Sequence, residues 1–246
     1  MTKKSTLTFI VISIIIISGI ITINLFQGKD KIYQQGARSN ESQIEKLEIY
    51  LKENEEDPTA NLNLGLRYYH DQQYKKAISK YKKVIELEPD NALAWHRLAN
   101  THVLQEDFQK AFNVRQKVVE LEADATSYLN LSTLDVLFEP STALKHAKIA
   151  LDLAEKSKED NIDYFKMWHD ALQQFDKQQK SGDISEGFIT LIKSEISLEK
   201  TLLLEYIGRA LNADVNKETE NELVELRGKI HSYQSNILDY SDLSSG

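Results

Sequence analysis

The sequence predicts an all-α protein: a single N-terminal transmembrane helix, then a solenoid of repeated helix pairs closed by a C-terminal helical hairpin or cap. Three observations carry this expectation. Only 3 prolines and 9 glycines punctuate the 246 residues, so little interrupts helix. Residues 7–26, LTFIVISIIIISGIITINLF, contain no charge. The stretch LGLRYYHDQQYKKAISKYKKVIELEPDN, residues 64–91, nearly recurs as LANTHVLQEDFQKAFNVRQKVVELEADA, residues 98–125.

The N-terminal element, assigned to residues 1–27, is long enough to span a bilayer. At 1.5 Å per residue a twenty-residue helix crosses the ~30 Å hydrocarbon layer. The alternative is a cleaved secretory signal, since Lys3 and Lys4 form a basic start. The apolar run exceeds the usual signal core, and Gln35-Gly36-Ala37 is a poor cleavage site, so an uncleaved single-pass anchor is expected. Lys3, Lys4 and the amino terminus oppose Lys29, Lys31 and Arg38, the latter diluted by Asp30 and Glu41. This balance places the N-terminus in the cytoplasm and the body outside.

Residues 28–40 are polar and carry Gly28 and Gly36, which suits a short tether. A helix over about 39–54 follows, with Ile44, Leu47 and Leu51 on one stripe, and Asp57-Pro58 stops it and opens the next. Superposing the chain on itself at an offset of 34 then pairs Leu64 with Leu98, Gly65 with Ala99, Tyr74 with Phe108, Ala77 with Ala111, Val84 with Val118 and Leu87 with Leu121. A period of 34 with small residues between large ones marks stacked helix pairs.

This pattern resembles the tetratricopeptide repeat (TPR) family. In the unit 58–91, Leu64, Gly65, Tyr68, Ala77, Tyr81 and Pro89 stand at the family's signature positions. The unit 92–125 keeps Trp95, Leu98, Ala99 and Ala111 but departs at His102, Arg115, Val118 and Ala123. A small residue where two antiparallel helices cross lets the backbones approach while aromatics fill the wider gaps. The resemblance implies that the first helix of each unit lines a concave surface, with Leu62, Leu66 and Tyr69 of the first unit and His96, Asn100 and Val103 of the second as candidate groove residues. Leu62 and Leu66 stand where the subclass that binds acidic chaperone tails has lysine and asparagine, so that specificity is not carried over. The lead-in IEKLEIYLKENEEDPTANLNLGLRYY also looks like the membrane-linked repeat domains of cytochrome c maturation factors.

A degenerate third unit, 126–157, completes a repeat domain over 41–157. Leu131 and Ser132 lie 33 residues after Leu98 and Ala99, and Pro140-Ser141 opens a second helix with Ala143, Ala147 and Ala150. Its inter-helix turn should be about one residue shorter. A C-terminal helical region, 158–240, loses the register but keeps helical spacing. Phe165, Trp168, Leu172 and Phe175 make one face ending near Ser181-Gly182, and a longer segment spans 184–212. Leu223, Leu226, Ile230, Tyr233, Ile237 and Tyr240 then form an a/d seam, expected to fold back as a hairpin that caps the solenoid. Pairing of two copies through this seam is the alternative. Residues 241–246 should fray.

Composition and motifs exclude several functions. A net charge of -8, with lysines interleaved by glutamates, disfavours nucleic acid. The absence of cysteine excludes disulfides and thiolate metal sites. His70, His96, His102, His146, His169 and His231 never fall at metal-pair spacing, and no phosphate-binding loop or nucleophile motif occurs. The acidic run Glu53, Glu55, Glu56 and Asp57 reads as a solvated turn. No catalysis and no cofactor are expected. The reading is a membrane-anchored scaffold or assembly factor binding protein partners in an envelope complex. The alternative is a structural subunit of a permanent multiprotein membrane assembly with the C-terminal helices as the main interface, or else a cytochrome c maturation-like accessory factor.

Overall fold

The computed structural model of the chain describes residues 39–193, 200–213 and 215–232. Helix α1 spans 39–53, so it takes in Ser39 and Asn40 from the expected tether. There follow α2 (Pro58–His70), α3 (Tyr74–Leu87), α4 (Ala92–Leu104), α5 (Phe108–Leu121), α6 (Ala125–Phe138) and α7 (Pro140–Ser157). The remaining helices are α8 (Ile162–Ser181), α9 (Ile184–Lys193), α10 (Lys200–Leu211) and α11 (Lys217–Ser232). Each helix packs on the next from α2 to α11, the contact order of an α-solenoid. Among the described residues no helix is long and apolar enough to cross a membrane, and the 7–26 stretch lies outside them.

One capping device opens the first helix of each pair. Asp57, Asn91 and Asp124 accept from the backbone N–H of Ala60 (2.9 Å), Ala94 (3.0 Å) and Ser127 (2.7 Å). Each satisfies an amide that the first turn leaves without a helical partner. Inside the first two pairs the turns also match: Gln72 and Glu106 adopt left-handed φ of 58° and 60°, and Gln73 and Asp107 N–H return to Tyr68 and His102 carbonyls. The third pair differs more than the sequence suggested. Only Glu139 separates α6 from α7, against three residues in each earlier pair, because Pro140 supplies a helical φ at the first position and starts α7 at once.

Gly65 sits where α2 crosses α3. A Cβ there would lie 2.6 Å from Tyr81 Cε1, so the ring occupies the space a side chain would need. Leu64, Tyr68, Ala77, Tyr81, Leu98, Ala99 and Ala111 are buried, the first five in one cluster that also holds Leu51 and abuts Ile44 and Leu47 of α1. Trp95 is half-buried, its indole N–H donating to Pro89 O at 2.8 Å. Pro89 itself is exposed, so its part is that carbonyl and the turn rather than packing.

A second, larger cluster runs from Val103 to Leu223, and it does not stop at the third unit. Phe165, Trp168, Leu172 and Phe175 of α8 are all buried in it, and Trp168 Nε1 donates to Ser132 Oγ at 2.7 Å. The expected single segment over 184–212 is two helices: α9 and α10 lie side by side, with Phe188 and Tyr206 rings 5.7 Å apart. Its broad apolar face is explained by this fold-back, since two short helices bury more surface against the core than one rod of roughly 40 Å protruding from it.

The end of the chain also departs from a simple cap. Helix α11 packs on α10 with Leu223 buried and Leu226 and Ile230 against the core, as a hairpin would have it. Yet α10 also meets α4, and Tyr206 hydroxyl donates to Thr133 O of α6. The hairpin therefore enters the curve of the solenoid instead of lying only beyond its last pair. Tyr233, Ile237 and Tyr240 lie outside the described residues.

Candidate protein-binding groove

Helices α2, α4 and α6 are the first members of their pairs, and their faces away from α3, α5 and α7 define the concave side. On α2 the residues Ala60, Leu64, Gly65 and Tyr68 turn inward, leaving Leu62, Leu66 and Tyr69 half-buried one and two turns apart. Tyr69 is held edge-on between His70 (5.6 Å) and Tyr74 (6.0 Å). On α4, His96 and Asn100 are half-buried, and His96 Nε2 lies 3.4 Å from Glu122 Oε2. Val103 is different. It is fully buried in the cluster that contains Tyr206 and Ile207 of α10, so it serves packing and is removed from the candidate groove.

The occlusion deepens along α6. Leu129, Thr133 and Val136, which follow the spacing of the groove residues on α2, are all buried, as are most other residues of this helix. A helix buried on all sides needs cover on two faces. Helix α7 covers one, and the contact of Tyr206 with Thr133 puts α10 on the other. Around that contact Arg115 Nη1 donates to Thr133 Oγ1 (2.7 Å) and to Asn130 O, and the buried Asp135 Oδ2 lies 2.7 Å from His146 Nδ1. The groove is thus open along α2 and the first turns of α4, and filled by the chain's own helices beyond.

Three residues that the sequence reading did not assign to the groove, Arg67, His70 and Arg97, are also half-buried. They adjoin Leu66, Tyr69 and His96 in sequence, and that adjacency was the signal available. Burial, and then the fields of Arg67 and Arg97, hold the His70 imidazole below its ordinary value. Burial also pushes the Tyr81 phenol up, with Arg97 and Tyr69 in electrostatic reach. That hydroxyl is buried with no hydrogen-bond partner among the described residues.

Among the described residues no group of three or more His, Asp or Glu side chains is placed to hold a metal ion. An open cleft of about 660 Å³ lies between α7 and α8, lined by Lys145, Lys148, His169 and Lys180 among others. Two of those lysines are already neutralised, Lys148 by Asp152 and Lys180 by Asp176, each at 2.6 Å.

Residues 65–106 match the family model described as TPR repeat. The match is confined to that segment. It runs from Gly65 in α2 through α3 and α4 to the α4–α5 turn, and so contains most of the open section. No curated protein sequence matches the chain. Similar solved structures include YrrB, described as a TPR protein with an unusual peptide-binding site, at 18% identity and TM-score 0.45, covering 77% of this chain and 94% of that one. MamA is similar at 18% identity and TM-score 0.46, over 74% of this chain and 89% of that one. MamA from Desulfovibrio magneticus RS-1 (residues 41 to end) gives 18% and 0.47, over 74% and 97%.

Proposed function

We propose that this TPR-bearing chain binds a protein partner through the open section of its groove, as a scaffold or assembly factor tethered to a membrane by residues 7–26. The observation that carries the reading is the contrast along one concave face. Leu62, Leu66, Tyr69, His96 and Asn100 remain half-exposed, while the continuation at Val103, Leu129, Thr133 and Val136 is covered. Apolar side chains beside amide and imidazole groups suit a peptide or helix that brings its own apolar face.

The anchor is supported by the uncharged twenty-residue run, and the lysine balance around it favours a cytoplasmic N-terminus with the repeats outside. Crosslinking followed by pull-down of the detergent-solubilised chain tests the binding reading, with Leu66→Glu and Asn100→Ala as variants. Loss of recovered partner in Leu66→Glu is expected, and full recovery in both variants would remove the groove from the account. Protease protection in closed vesicles tests sidedness; repeats digested only after the vesicles are opened from the cytoplasmic side would reverse the orientation.

A further inference from the structure

We propose that the surface beneath α10 is a second stretch of the same docking groove, held shut in the free chain by α10 and taken over by a partner helix that carries α10's own buried face. The inference rests on the groove reading above and names the kind of occupant. Helix α10 lies where a ligand would lie. It meets α4 and α6, the first members of the second and third pairs, although its neighbours along the chain are α9 and α11. The cluster that takes in α10 begins at Val103, one helical turn past Asn100, so the closed stretch adjoins the open one.

Two observations set α10 apart from a fixed part of the stack. It is bound by one face, as a docked amphipathic helix is. Leu202, Tyr206, Ile207 and Ala210 are buried, while Glu205 and Arg209 pair with each other at 2.9 Å at the exposed edge. The floor under it, α6, is also held from other sides. Arg115 of α5 donates to Thr133 Oγ1 (2.7 Å) and to Asn130 O, His146 Nδ1 of α7 lies 2.7 Å from Asp135 Oδ2, and Trp168 of α8 donates to Ser132 Oγ (2.7 Å). From α10 the floor receives the Tyr206 hydroxyl on Thr133 O. A helix carbonyl keeps a second lone pair for such a donor, so an incoming tyrosine at the same point can replace Tyr206. Vacating α10 therefore uncovers an apolar floor with a directional acceptor and leaves α6 supported by α5, α7 and α8. A tethered occupant competes at high effective concentration, so a partner must match its face closely: leucine, tyrosine, isoleucine and alanine at the spacing of Leu202, Tyr206, Ile207 and Ala210.

The probe is a fluorescent peptide of residues 200–211, titrated by anisotropy against the full-length chain in detergent. Tyr206→Phe in the chain loosens the resident helix without touching the floor, and this variant is expected to bind the peptide about fivefold more tightly than wild type. A peptide with phenylalanine in place of Tyr206 should bind about fivefold more weakly, and one with glutamate in place of Leu202 should not bind. Hydrogen exchange should quicken in α10 of the chain when the peptide is added and stay slow in α6. Recovery of the crosslinked partner should rise in Tyr206→Phe. Tyr206→Ala, which loosens α10 further, should bind the peptide at least as well if its far-UV circular dichroism remains helical. Absence of peptide binding to both folded variants, or binding that leaves α10 exchange unchanged, overturns the proposal. Partner recovery unaltered by Tyr206→Phe overturns the assignment to a partner. So does a dimer in sedimentation that the peptide dissociates, because the occupant is then α10 of a second copy. In each of these cases reduced recovery in Leu66→Glu still upholds the open groove, so the two readings fail separately.

Discussion

Gly65 and Tyr81 show how one residue position sets a helix crossing. With Tyr81 Cε1 2.6 Å from where a Cβ would stand, the pair admits no side chain unless the ring or a helix moves. Gly65→Ala should therefore lower stability by roughly 1–3 kcal/mol in thermal or urea unfolding, even though alanine is the better helix former. In a Tyr81→Leu background the same change should cost clearly less, because the clash has gone, and additive losses would refute the contact. The sequence offset flagged Gly65, but Gly187, whose Cβ would meet Phe175 Cδ2 at 2.9 Å, lies outside the repeat and went unnoticed. His102 is a second residue-scale case. It departs from the repeat pattern and is buried, and burial holds its imidazole below the ordinary 6.5, with Asp107 opposing in part. The unfolded chain therefore takes up this proton first as pH falls. Stability from His102 is whole above pH 6.5 and declines from there toward the depressed folded value. Melting temperature should fall between pH 7 and pH 5, and His102→Gln should flatten that fall.

At the scale of elements, α6 and α10 explain each other. The α6 sequence ATSYLNLSTLDVLF has no polar stripe, which alone says that the helix is covered on more than one side. It does not say by what. Tyr206 supplies the answer: the side chain is fully buried, with its hydroxyl on Thr133 O. Tyr206→Phe should cost about 1 kcal/mol through the lost hydrogen bond, and Tyr206→Ala roughly 3–5 kcal/mol through the cavity. Hydrogen exchange should find α10 amides protected about as well as those of α6, and rapid exchange in α10 alone would show that it is not part of the core. The start at Asp57-Pro58 and the stop at Gly182 (φ 87°) were legible because capping is local chemistry, and the caps at Asn91 and Asp124, which the sequence reading did not name, are the same device. Separation of α9 from α10 was not, since both keep helical periodicity and a fold-back is chosen by the surface that receives it.

For the whole molecule, the solenoid is asymmetric in use: an open section over α2 and α4, a closed section where α10 fills the curve. Leu66 is half-exposed, so Leu66→Glu should leave the far-UV circular dichroism intact and change stability by about 1 kcal/mol or less while reducing partner recovery. Unfolding of that variant would reassign Leu66 to the core. A fragment beginning at residue 39 should give a spectrum dominated by helix, because every described element is helical. Predominant coil in native buffer would contradict the stacking from which the groove is built.

By itself the sequence determined the class, the period and the crossings of the first two units. These depend on interactions within about one repeat, where a small residue at the crossing (Gly65, Ala99) and a cap (Asp57, Asn91) recur at a 34-residue interval. Only the tertiary structure decided where the groove ends. Val103 stands at the same repeat position as Tyr69, yet one is fully buried and the other half-exposed. Val103 belongs to a buried cluster that takes in α5, α6 and α10, the last beginning at Lys200 about a hundred residues further along the chain, whereas Tyr69 packs at the edge of the smaller one. Burial is a property of what finally covers a side chain, and no local period carries that information.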